Sequence, residues 1–174
     1  MNLKEQLADA MQGTVVVMGI GNLCRGDDAA GSLAARRVSD VPGVHVIDAQ
    51  DVPENYLCQV ADQRPDTVVL IDCADLKSAP GSVALLDKDQ TAAYWPSTHR
   101  VPLSLLMNYL EQENQTHVLL IAIQPHHTAF LQPVSAAVSS SVEAIAGVLK
   151  EIAATQQMPA QTRFASPLRS KEPT

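Results

Sequence analysis

Three short stretches hold side chains able to do chemistry. The first is Gly19-Ile-Gly21-Asn22-Leu-Cys-Arg-Gly26-Asp27-Asp28, between an apolar run and an amphipathic one. The second is Asp72, directly after Val68-Val69-Leu70-Ile71. The third is His99, in Trp95-Pro-Ser-Thr-His99-Arg-Val-Pro102. A dinucleotide fingerprint needs Gly-x-Gly-x-x-Gly and a helix start open to a diphosphate. Here the third glycine comes late, and the two carboxylates at the helix start repel phosphate. Nucleotide binding is therefore set aside. Ordinary helix capping explains one of the pair Asp27 and Asp28, and leaves the second unexplained. A carboxylate emerging from a buried strand, as Asp72 does, is costly unless paired, hydrogen-bonded or bound to a cation. Loop amides alone would satisfy it. A lone loop histidine is ordinarily solvated, and His99 differs only in being held between two prolines just before a helix. Two hard oxygens and one borderline nitrogen suit a divalent transition ion. Three protein ligands leave positions open for water or for a partner's groups.

Other candidates are weaker. His45 alternates out of a strand and His117 begins one. His126 and His127 are adjacent, so their rings point to opposite faces of an extended segment, although both can line the same crevice. Cys73 packs as a small apolar side chain, and Asp75 belongs to a turn. Neighbouring helix residues diverge by about 100°, so Asp27 and Asp28 do not form a proton-sharing dyad. No Gly-x-Ser-x-Gly occurs, and Cys24 and Cys73 have no evident base.

These residues must be positioned by elements whose pattern is legible. Leu3, Leu7 and Met11 recur every four residues and predict a short helix. Thr14 to Ile20, Thr67 to Ile71 and His117 to Ile123 are continuous apolar runs, as in strands buried on both faces. Val44 to Ile47 and Ser82 to Leu86 are shorter strands. Helices are predicted from Asp28 to Val38, from Pro53 to Val60, along Leu103, Leu106, Met107 and Leu110, and along Val138 to Ile152. Asp87 to Val101 reads as a polar loop. The expected fold is α/β: one domain over residues 1–154, in three layers, with a mostly parallel, twisted five-stranded sheet covered by helices on both faces. Residues 155–174 read as a flexible tail. In such sheets ligands sit beyond the carboxyl ends of the strands, where the order reverses.

Composition narrows the function classes. The 174 residues are 46 % hydrophobic, 18 % charged and 3 % aromatic, with a net charge of -7. An acidic chain with no basic stripe is a poor partner for nucleic acid. No apolar run is long enough to cross a bilayer, and the first residues lack the features of a secretory signal. Three scattered cysteines predict reduced thiols and a cytoplasmic location. The free protein is expected to be a monomer.

The motif set resembles that of the hydrogenase maturation endopeptidases, which clip the C-terminal extension from the large subunit of NiFe hydrogenases. The resemblance rests on Gly-Ile-Gly-Asn-x-x-x-Gly-Asp-Asp-Ala-Ala-Gly after the first strand and on Leu-Ile-Asp72-Cys-Ala-Asp. Pro80-Gly81, Ser-Thr-His99-Arg-Val-Pro-Leu-Ser-Leu-Leu and Ala-Ile-Gln124-Pro125 follow in family order. The Thr-His-x-x-Pro-Leu and Ile-Gln-Pro forms are most similar to members that process the hydrogenase of formate hydrogenlyase. The resemblance implies nickel contacts at Asp28, Asp72 and His99, and catalytic roles for Asp28 and Asp72. It also implies a role for Asp48 in choosing the cleavage site, although the family's Asp-Gly-Gly reads Asp48-Ala49-Gln50 here. The implied cofactor is nickel brought by the substrate and held weakly by the free enzyme. The implied partner is the large-subunit precursor. The noncatalytic alternative is a nickel-sensing chaperone of that subunit. A peptidyl-tRNA hydrolase shares the strand-Gly-x-Gly-Asn opening, but the -7 charge argues against it. A plain small-molecule α/β hydrolase has the fewest supporting residues.

Overall fold

Strands that are apolar on both faces can only be satisfied inside a sheet covered on both sides. The computed structural model describes residues 2–94 and 102–156. In it β1 (Val15–Ile20), β2 (Val44–Gln50), β3 (Thr67–Cys73) and β5 (His117–Ile123) run parallel, and β4 (Val83–Leu86) joins β5 antiparallel. The order across the sheet is β2-β1-β3-β5-β4. Alternate residues face opposite sides. Val15, Val17, Val69 and Ile71 pack under α1 (Leu3–Ala10), α2 (Ala30–Arg37) and α6 (Ala136–Gln156). Val16, Met18, Ile20 and Leu70 pack under α3 (Leu57–Asp62) and α5 (Leu103–Asn114). This is the expected three-layer α/β architecture.

The differences from the sequence reading have local causes. Strands β2 and β3 run on to Gln50 and Cys73, so Asp48 and Asp72 are strand residues rather than the residues that follow. Apolar patterning stops at the last hydrophobic side chain, whereas the ladder is made by backbone groups. The helix expected from Asp28 begins as a 3-10 turn over Gly26–Ala29, and α2 proper starts at Ala30. The polar loop expected from Asp87 contains α4 (Lys88–Tyr94). Its start is a capping box: Gln90 N–H donates to Asp87 Oδ1 at 2.8 Å, and Asp87 N–H donates to Gln90 Oε1 at 3.0 Å. The final helix continues to Gln156 and so takes in the first two positions of the expected tail. The remainder of that tail, 157–174, lies outside the described residues, as does 95–101 with His99.

Two contacts fix the carboxyl edge of the sheet. The first is the seat of α2 on β1 and β3. A Cβ on Gly31 would lie 2.0 Å from Ile71 O and 2.2 Å from Ile20 O, and one on Gly19 would lie 2.1 Å from Gly31 O. Only hydrogen at both positions lets the helix start rest directly on the two strand ends. The second is the carboxylate of Asp27, which has no exposed surface. Its Oδ1 accepts Ser135 N–H at 2.6 Å, and its Oδ2 accepts His126 N–H at 2.8 Å, His127 N–H at 3.3 Å and Ser135 Oγ–H at 2.9 Å. Asp27 N–H in turn donates to His127 O at 3.0 Å. Ser135 Oγ also accepts Val138 N–H in the first turn of α6. One side chain thus ties the loop after β1 to the loop after β5 and to the start of α6. Burial pushes the Asp27 carboxyl up, but the hydrogen bonds from Ser135, His126 and His127 outweigh it and hold the group below its ordinary 3.8.

Two measurements test these contacts. Alanine is the better helix former by about 1 kcal/mol, so Gly31→Ala would stabilise an open helix. Here the substitution is expected to destabilise by about 3 kcal/mol or more, read as a lower thermal midpoint. Asp27→Asn is expected to cost about 2 kcal/mol or more near neutral pH. Because the folded carboxyl lies below 3.8, its contribution is complete above that pH and is lost as the pH falls through the folded value. The gap between wild type and Asp27→Asn in thermal unfolding should therefore narrow in the acid range.

Candidate active site

The connection from β1 to β2 runs through α2 on one face, and the connection from β2 to β3 runs through α3 on the other. The winding therefore reverses beside β1, and a crevice opens between the carboxyl ends of β1 and β3. Asp28 stands on the β1 side of this crevice, in the 3-10 turn, and is half-buried. Its backbone is pinned. Asn22 N–H donates to Asp28 O at 3.0 Å, Asp28 N–H donates to Arg25 O at 3.1 Å, and a Cβ on Gly21 would lie 2.0 Å from Asp28 O. Gly21 has φ 151°, a conformation that L side chains rarely adopt. Asn22 also shapes the turn with its side chain, whose Oδ1 accepts Cys24 N–H at 2.9 Å and whose Nδ2 donates to Asp51 Oδ2 at 3.2 Å.

Asp72 stands on the β3 side, opposite Ala122 of β5, with no exposed surface. Its Oδ1 accepts Cys73 N–H at 2.7 Å. Strand alternation turns Asp72 toward the α5 layer and Cys73 toward the α2 layer. Burial pushes the Cys73 thiol well above its ordinary value, and the charges of Asp72, Asp28 and Asp27 push it further. All three carboxylates are thus close enough to act on one buried sulfur. The thiol is donated to Asp27 O at 2.8 Å. Cys73 is the small packed side chain that the sequence implied, and it is protonated at neutral pH.

Other expected residues take different places. Asp48 lies in β2 beside Gly19, and its Oδ2 accepts from Arg36 Nε at 2.7 Å. Its Oδ1 is buried without a hydrogen-bond partner among the described residues. Two residues on, Gln50 has φ 53°, a left-handed backbone where glycine is the less strained choice. The sequence therefore departs from Asp-Gly-Gly at a position whose geometry still favours glycine. His126 and His127 serve the edge through their peptide groups. The His127 ring lies against Gly26, where a Cβ would meet Nδ1 at 2.7 Å. Gln124 closes the far side of the edge: Gly81 N–H donates to its carbonyl at 2.8 Å, and Ser78 N–H to its Oε1 at 3.3 Å. The sequence reading missed Asp27 as an anchor and Arg36 as the partner of Asp48. The doubled aspartate was the available signal for the first, and nothing in local spacing signalled the second. Among the described residues, no three His, Cys, Asp or Glu side chains gather as a metal-holding group.

Comparison with known proteins agrees with this architecture. The family model described as hydrogenase maturation protease matches residues 30–154. The hydrogenase 3 maturation protease of Escherichia coli K12 is 31% identical over 135 residues, covering 76% of this chain and 86% of that protein. The crystal structure of a NiFe hydrogenase maturation protease from Thermococcus kodakarensis superposes with a TM-score of 0.79 at 30% identity, covering 86% of this chain and 99% of that one. The solution structure of an Escherichia coli endopeptidase gives a TM-score of 0.73 at 30% identity, over 79% of this chain and 90% of that one. A family match over most of the chain and a shared fold, with the carboxylates of the motif set at the sheet's carboxyl edge, establish that this chain belongs to the hydrogenase maturation protease family.

Proposed function

We propose that this protein is an endopeptidase that removes the C-terminal extension of a NiFe-hydrogenase large-subunit precursor, and that it recognises nickel already seated in that precursor. The observation that carries the reading is the placement of Asp28 and Asp72 on the two sides of the crevice between β1 and β3, in a chain of this family. A carboxylate with no exposed surface at a strand end suits a cation-facing role. Two carboxylate oxygens fit a borderline divalent ion when an imidazole joins them. His99 is the proposed third ligand. The described chain resumes at Pro102, three residues later, and enters α5 on the face of the sheet toward which Asp72 turns.

In this reading the ion belongs to the substrate, so the free protein needs no tight site of its own. Its Lewis acidity is the chemistry it would supply at the scissile carbonyl. Asp28 and Asp72 bind and orient the incoming centre, and either can take a proton from the attacking water. Asp48 bears on the choice of bond. Arg36 holds its Oδ2, which fixes the side chain in β2 beside Gly19. Cys73 is not a nucleophile here, because it is buried and kept protonated by burial and by three neighbouring carboxylates.

Two experiments test the proposal. Wild-type protein mixed with nickel-loaded precursor is expected to shorten it, seen as a mass loss, and to leave nickel-free precursor intact. Asp28→Ala, Asp72→Ala and His99→Ala are each expected to lower the rate by at least about a hundredfold with the circular dichroism spectrum unchanged. Equal processing of loaded and nickel-free precursor would refute the nickel reading. Separately, native alkylation with iodoacetamide should mark the exposed Cys24 and Cys58, while Cys73 reacts only after unfolding.

A further inference from the structure

Among the described residues, the large hydrophobic side chains left exposed are Leu23, Leu105, Tyr109, Phe130 and Leu131. Three of them sit on two loops that touch. Leu131 N–H donates to Cys24 O at 2.7 Å, which joins the Phe130–Leu131 turn to the turn carrying Leu23. Phe130 is 63% exposed and Leu131 72%. The two loops are also the pair locked by Asp27, so the apolar side chains stand on a fixed base beside Asp28. Leu131 has φ 57°. A left-handed leucine costs about 1–2 kcal/mol over the right-handed form, and the turn nevertheless presents that side chain to solvent.

We infer that Leu23, Phe130 and Leu131 form a docking platform for an apolar segment of the substrate polypeptide, next to the bond to be cut. The inference rests on the proposed peptidase function and adds where the chain is gripped. The carboxylates of Asp28 and Asp72 orient a peptide but bury little apolar area. A protease that cuts one terminal extension needs affinity from outside the reacting atoms. The platform is three side chains, well short of the roughly 20–30 residues a side of a stable dimer interface. An extended segment of the client fits that size, whereas a second copy of this chain does not.

The test uses the full chain carrying Phe130→Ser and Leu131→Asn together. Asparagine tolerates left-handed backbone, so the thermal midpoint should hold or rise. With nickel-loaded precursor, KM is expected to rise about tenfold or more while kcat at saturation stays within twofold of wild type. Binding of the precursor to cleavage-deficient Asp28→Ala should weaken by a similar factor when the two substitutions are added. An unchanged KM alongside normal wild-type processing overturns the platform and leaves the peptidase reading standing. Wild-type protein that neither binds nor cuts the precursor overturns both. A wild-type dimer that the double variant converts to monomer overturns the platform by identifying the face as a self-contact.

Discussion

The geometry at the sheet's carboxyl edge depends on one carboxylate that no solvent reaches. Asp27 accepts four hydrogen bonds from a segment roughly a hundred residues downstream and returns one through its own amide. An ionised carboxylate so buried persists only because each donor is a fixed N–H or O–H group. Its neighbour Asp28 follows on the same 3-10 turn. The backbone carrying it is held from below by Gly21 and from behind by the Asp27 cluster. The adjacent aspartates of the motif therefore differ: the side chain of Asp27 is spent inward on structure, and Asp28 stands half-buried in the 3-10 turn at the sheet's carboxyl edge.

The same edge explains why α2 is so rich in small residues. Gly31, Ala34 and Ala35 are fully or nearly fully buried and let the helix sit close on β1 and β3. Close seating carries the 3-10 turn over the strand ends. A helix raised by even one methyl would lift the 3-10 turn, and Asp28 with it, off the strand ends. Packing and site geometry are here one constraint, set by the absence of side chains at two glycines.

Much of the fold was legible because buried parallel strands announce themselves. The runs at Val15, Thr67 and His117 contain almost nothing polar, and their order with the intervening helices predicts the sheet. Less visible was anything that depends on contacts between distant residues. The reach of β3 to Asp72 and Cys73 is set by pairing with β5, which no local pattern reports. The Arg36–Asp48 pair and the His127 ring on Gly26 are likewise products of the fold. The helix α4 was a different case: Asp87-x-x-Gln90 is a capping signal, and the polar surroundings masked it. Of the candidate site residues, Asp28 and Asp72 were singled out from spacing and strand position. Asp48 came only through the family resemblance, because its own surroundings read as an ordinary strand.

One feature of the first loop bears on how firmly the Asp28 backbone is held. The main chain of Asp28 rests on Gly21 so closely that not even a methyl group fits between them. This wall of the cleft has no room to retreat. Such a rim keeps the 3-10 turn in one position over the strand ends.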